Sequence, residues 1–168
     1  MKLRSTHLLY AALAVGAVVW LLSRLGDSPE AQIRERFARV VELVEKAPGE
    51  GALEAAERAR TLGAHFTPTF SLDVPQAGSI GSREALVRPF VGLRQPLERL
   101  EVVLTGVDVA VESEVGARLA ARATVVATGG AAGGGPLRQG SYDIVTHWRR
   151  DGDTWRIESL RAVESTDR

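Results

Sequence analysis

Proton-transfer chemistry in this chain would rest on few side chains: Asp73, His65 and His147. A carboxylate in a low-dielectric cleft has its pKa raised and becomes a general base, and Asp73 is the candidate for that work. The same residue opens the step Asp73-Val74-Pro75, where an aspartate commonly accepts backbone N–H bonds in a turn, so both roles stand. His65 precedes Asp73 by eight residues on a segment interrupted by Pro68, and a base and its orienting partner need not meet across it. His147 falls between Thr146 and Trp148, and strand alternation turns it to the face opposite theirs.

Other chemistries are thinly supplied. After His7 the chain has only His65 and His147, with no accompanying carboxylate spacing, so no metal is expected. No cofactor is expected either. The absence of cysteine excludes thiolate nucleophiles and cysteine-built zinc sites. The glycine-rich run Thr128 to Leu137 lacks the Lys-Ser/Thr ending of a phosphate loop and reads as a flexible strand connection. Trp148 and Trp155 flank a turn and can either stack on a ligand or fill the end of a sheet. Arg149, Arg150, Arg156 and Arg161 alternate with Asp151, Asp153 and Glu158, which describes a solvated, salt-laced surface.

The elements that must position these residues follow from periodicity. Ile33, Phe37, Val40, Val41 and Val44 mark an amphipathic helix from Pro29 to about Ala47. A shorter alanine-rich helix runs from Ala52 to Leu62. His65 to Val74 has aromatic and β-branched residues, and Pro68 confines it to an edge or a broken strand. Pro75 to Gly81 reads as a turn. Ser82 caps a third helix carrying Leu86, Phe90 and Leu93, bent at Pro89. Four strand-like runs follow: Leu97 to Glu112 with an interruption near Gly106, Val115 to Thr128, Gly140 to Arg150, and Thr154 to Glu164. Helices followed by a meander of strands predict an α+β domain, three helices packed on a strongly curved antiparallel sheet.

Ahead of this domain, Leu8 to Leu22 holds fifteen residues without a charge, and Thr6 to Leu25 gives twenty, about 30 Å as a helix. Lys2 and Arg4 precede it, with no acid in the first 25 residues. The positive-inside bias then keeps the N-terminus cytoplasmic. This predicts a signal anchor over residues 1–25, a linker over 26–28, a domain over 29–164 and a tail over 165–168. The expected location is a bacterial inner membrane, single pass, with the domain periplasmic. Cleavage after Gly26-Asp27-Ser28 is the rival reading, and Pro29 makes a poor junction for it. Beyond residue 25, 18 basic residues face all 21 acidic ones, which excludes a nucleic-acid footprint.

The segments IRERFARVVELV, AHFTPTFSLDVP, GSREALVRPFVGL and YDIVTHWRRDGDTWRIESLRAVE, in this order over residues 29–164, resemble the nuclear transport factor 2-like superfamily, which includes ketosteroid isomerases and polyketide cyclases. The resemblance implies a cone whose sheet wraps the first helix and leaves a pocket for apolar ligands at one end. Phe37, Val41, Phe70, Asp73, Phe90, Thr146 and Trp148 are the pocket-lining candidates. Asp73 matches the position of the family's base, while Phe37 and Thr146 fall where isomerase-like members carry proton donors. Losing such donors costs about 10²- to 10³-fold each, which leans the reading away from an enzyme. The expected function is a non-catalytic, membrane-tethered scaffold or small-apolar-ligand module, as a homodimer or a subunit of an envelope complex, with the bilayer as partner through Leu8 to Leu22. The alternative is an isomerase, dehydratase or cyclase using Asp73 as base.

Overall fold

Ser28, itself extended, accepts a hydrogen bond from the Ala31 amide on its hydroxyl (3.2 Å), and Pro29 occupies the first turn of helix α1, Pro29–Val44. The computed structural model that shows this describes residues 28–75, 78–129 and 138–165. No helix among them is long and apolar enough to cross a membrane, and the expected anchor from Leu8 to Leu22 lies outside the described residues.

α1 stops short of the expected Ala47. Glu45 turns extended, and Lys46 instead forms an isolated antiparallel bridge with Leu100. Helix α2, Ala52–Gly63, and helix α3, Arg83–Arg94, follow the predicted pattern. The Ser82 hydroxyl accepts from the Ala85 amide at 3.2 Å, and Pro89 sits inside α3.

Six strands make one sheet in the order β2-β1-β6-β5-β4-β3: β1 Phe66–Val74, β2 Gly78–Ser82, β3 Arg99–Val111, β4 Gly116–Thr128, β5 Arg138–Asp151 and β6 Thr154–Glu164. Two expectations need correction. The stretch Pro75 to Gly81 is more than a turn, because β2 begins within it. Its glycine and serine residues carry no alternating pattern, and it becomes a strand through backbone pairing with β1 and burial of Ile80. The sheet is also mixed: β1 lies parallel to β6 while every other neighbouring pair is antiparallel. Pro68 breaks β1 locally without placing it at an edge, since the registers with both β2 and β6 shift around it. The interruption near Gly106 is a bulge between Thr105 and Asp108 where Gly106 takes φ +60. A bulge bends and twists a strand, and this one helps the sheet curve around α1.

Candidate functional site

The core shows where this fold can hold a ligand, because its packing differs along three elements at once. On α1, Ile33, Phe37 and Val40 are buried, whereas Val41 and Val44 toward the C-terminus are half-buried. Pairing of β5 with β4 is uninterrupted from Gly116↔Arg149 to Ala127↔Arg138, so Trp148, Thr146, Ile144 and Tyr142 share one face. Trp148 and Thr146 are 2% and 0% exposed, while Ile144 and Tyr142 are half-buried. On β6 the same gradient runs from Trp155 and Ile157 to Leu160. Along α1, β5 and β6 the core is therefore sealed beside the β5–β6 turn and opens at the other end, where Val41, Val74, Phe90, Leu104, Ile144 and Leu160 pack on the core yet keep part of their surface in water. Edge strand β3 differs, its Val107, Val109 and Val111 being half-buried beside the sealed end as well.

The sealed end holds four of the expected lining residues. Phe37 meets Trp148 edge-to-face, ring centroids 6.5 Å apart at 80°, and Phe70 stacks obliquely on Phe66 at 4.5 Å. Trp148 Nε1 donates to Thr146 Oγ1 at 2.7 Å, and that hydroxyl lies 3.5 Å from the Leu119 carbonyl. Thr146 is thus engaged within the core. Val41 and Phe90, by contrast, stand on the open rim.

Asp73 stands apart from all of them. Leu72 is buried and Val74 half-buried on the core side of β1, so Asp73 between them faces outward, exposed, in register with Ser79 and Arg161. His147 is exposed on the outer face of β5. His65 lies at the sealed end, where its carbonyl accepts from the Ile157 amide at 2.9 Å. The three titratable candidates are not brought together, and among the described residues no group of three His, Cys, Asp or Glu could hold a metal.

The family model for the SnoaL-like domain matches residues 51–161. The chain belongs to this family. Solved structures agree on the fold. A candidate dehydratase of the NTF2-like family from Streptomyces avermitilis superposes with a TM-score of 0.66 at 18% identity, covering 81% of this chain and 96% of that one. A candidate scytalone dehydratase from Novosphingobium aromaticivorans gives 0.62 at 11% identity over 80% and 83%. A type 2 hexachlorocyclohexane dehydrochlorinase gives 0.68 at 12% identity over 86% and 89%. No curated protein sequence matches.

Two features of this SnoaL-like domain were missed in the sequence. Tyr142 is a hydroxyl-bearing side chain on the inner face of β5 at the open end, four positions from Thr146 on the same strand. The second is a buried ionic cluster that fixes α3 beneath the rim. Arg94 holds Glu50 through Nε (2.9 Å) and Nη2 (2.6 Å), with side-chain exposures of 4% and 1%. It also donates to the carbonyls of Val44 and Glu45, and its guanidinium lies 4.7 Å from the Phe90 ring centroid. Lys46 Nζ donates to the Arg94 carbonyl at 2.9 Å and to that of Leu97. One signal could have found the cluster: apart from Lys2, Lys46 is the only lysine in a chain whose other basic residues are arginines. A compact ammonium suits two backbone carbonyls.

Proposed function

We propose that this SnoaL-like domain takes a small, largely apolar molecule into the open end of its curved sheet. One observation carries the reading: along α1, β5 and β6 the inward side chains pass from fully buried beside the β5–β6 turn to half-buried at the opposite end, at Val41, Ile144 and Leu160. Concave, mostly apolar sites with a few polar groups are the usual form of small-molecule pockets.

A second reading, turnover at this opening by an isomerase, dehydratase or elimination route, is favoured by the fold neighbours, two candidate dehydratases and a dehydrochlorinase. They favour it over a purely scaffolding role. Asp73, on the outer face of β1, is poorly sited as its base, and Tyr142 is the inward hydroxyl at hand. The tether inferred from Leu8 to Leu22 would present the opening to molecules partitioning from a bilayer. It remains part of the proposal, as do a periplasmic location and an envelope partner.

Binding is tested with the purified full chain and an apolar fluorophore whose emission rises on leaving water. The expected result is saturable binding, weakened about tenfold or more by Leu160→Arg, which places a charge in the opening. Equal binding by a folded Leu160→Arg chain would refute the site. Turnover is read separately, as deuterium from solvent entering an enolisable ketone. Exchange lost in Tyr142→Phe and kept in Asp73→Asn supports the catalytic reading, and exchange at the buffer rate removes it.

A further inference from the structure

Outside the sealed end, a cleft of about 380 Å³ opens between α1 and the β5–β6 turn, lined by Gln32, Glu35, Arg36, Arg39, His65 and Asp153. We infer that this cleft is a second binding site, for a small zwitterion carrying a phosphate and an ammonium group a few bonds apart. It is independent of the apolar opening, which lies at the other end of α1 and of the sheet.

The helix supplies one wall by spacing alone. Gln32, Glu35, Arg36 and Arg39 recur at i, i+3, i+4 and i+7, a single stripe beside the core-facing Ile33, Phe37 and Val40. The hydrogen bond from the Ile157 amide to the His65 carbonyl sets His65 against the start of β6, and the turn that leads into β6 carries Asp153 to the facing wall.

The charges in the cleft are arranged for an occupant. Arg36 is half-buried and makes no ion pair among the described residues. Burial first, and then the Arg36 charge, hold the His65 imidazole below its ordinary pKa. The cleft thus pairs a half-buried guanidinium that has no carboxylate partner among the described residues with an imidazole biased toward its neutral form. Arg39 is engaged with Glu42 at 3.1 Å, but both ends of that pair are more than 60% exposed, and such pairs contribute little and exchange readily. A phosphate set against Arg36, Arg39 and His65 would satisfy all three and favour the imidazolium. A bare phosphate would also meet the carboxylates of Glu35 and Asp153. An ammonium on the same molecule turns that repulsion into recognition. The volume lies at the low end of the roughly 300–1,000 Å³ typical of ligand sites, which suits a compact molecule. A soluble phosphoethanolamine and the headgroup of an aminophospholipid share this chemistry.

The test follows the histidine ring signals of the full chain in detergent micelles by NMR, with exposed His147 as internal control. O-phosphoethanolamine, inorganic phosphate and bicelles containing phosphatidylethanolamine are added separately. Saturable movement of His65 alone, with a raised pKa, is expected from the soluble zwitterion, from the bicelles, or from both, and the arm that responds names the source. Inorganic phosphate should bind about tenfold more weakly than phosphoethanolamine, and Arg36→Gln should weaken the zwitterion by about tenfold or more, the scale of one charge-assisted hydrogen bond. Glu35→Gln should reduce affinity for phosphoethanolamine while leaving or improving that for phosphate, an outcome that does not depend on the Arg36 variant folding. The proposal falls if neither source moves His65, if phosphate binds as well as the zwitterion, or if a folded Arg36→Gln chain binds as the parent does.

Discussion

The two ends of the curved sheet are built from the same strands and the same helix, yet they solve opposite problems. At the end beside the β5–β6 turn, Trp148, Trp155, Phe37, Ile33, Leu119 and Ile157 are each no more than 2% exposed. The large aromatics there interlock with each other and with the buried Thr146 hydroxyl. At the other end the inward positions pass to Ile144, Leu160, Leu104 and Val41, smaller side chains that leave surface in water. Close packing gives stability, and incomplete packing leaves room for a guest. In this fold the two are separated along one axis, so each can be altered without the other.

The sharpest way to break that comparison is a matched pair of truncations. Trp148→Ala removes a large indole that is only 2% exposed and packs on Phe37, and should lower unfolding free energy by about 4–5 kcal/mol, the upper end of the range for aromatic core truncations. Ile144→Ala, on the same face of the same strand, should cost only about 1–2 kcal/mol, since part of its surface is already wet. Denaturant melts of the full chain measure both. Equal losses would mean that the gradient in burial has no energetic counterpart.

The open end needs a support that the closed end does not, and the ionic cluster supplies it. Glu50→Ala would leave Arg94 buried without its carboxylate, a change that costs roughly 3–5 kcal/mol in general. The lower figure, about 3 kcal/mol, is expected here because the guanidinium keeps the Val44 and Glu45 carbonyls. Arg94 sits over the Phe90 ring, so the same variant should also weaken apolar-probe binding at the opening. A Glu50→Ala chain of parental stability would show that α3 is held by packing alone.

How much of this was readable beforehand depends on whether the cause is local. Helix α1 was legible because its apolar spacing and its Ser28-Pro29 start are local facts, and β3 to β6 were legible because each carries runs of local alternation, interrupted at a bulge in β3 and a register shift in β6. Strand β2 was not, since four glycine and serine residues around Ile80 become a strand only by pairing with β1. The parallel seating of β1 against β6 joins segments some ninety residues apart, and no local pattern encodes it. Among candidate site residues, the outward face of His147 followed from alternation. The outward face of Asp73 depended on the register of β1 after its break at Pro68, which the sequence leaves open. Glu50 and Arg94 are 44 residues apart, and each alone looks like an ordinary surface charge.

The smallest expected effect tests the outer wall of the closed end. Burial and the neighbouring Arg36 keep the His65 pKa below its ordinary value of 6.5, so the unfolded chain binds that proton more readily than the folded one. The stability contributed by a neutral His65 is therefore whole above about pH 6.5 and is lost as pH falls from there through the lowered folded value. Melting temperatures of the parent should decline across that window more steeply than those of His65→Gln, which has no proton to gain. Because His65 is only half-buried, solvent screening keeps the difference modest. Identical slopes for parent and His65→Gln would mean that Arg36 and burial do not act on this imidazole, and the bias toward a neutral ring assigned to the cleft would lose its footing.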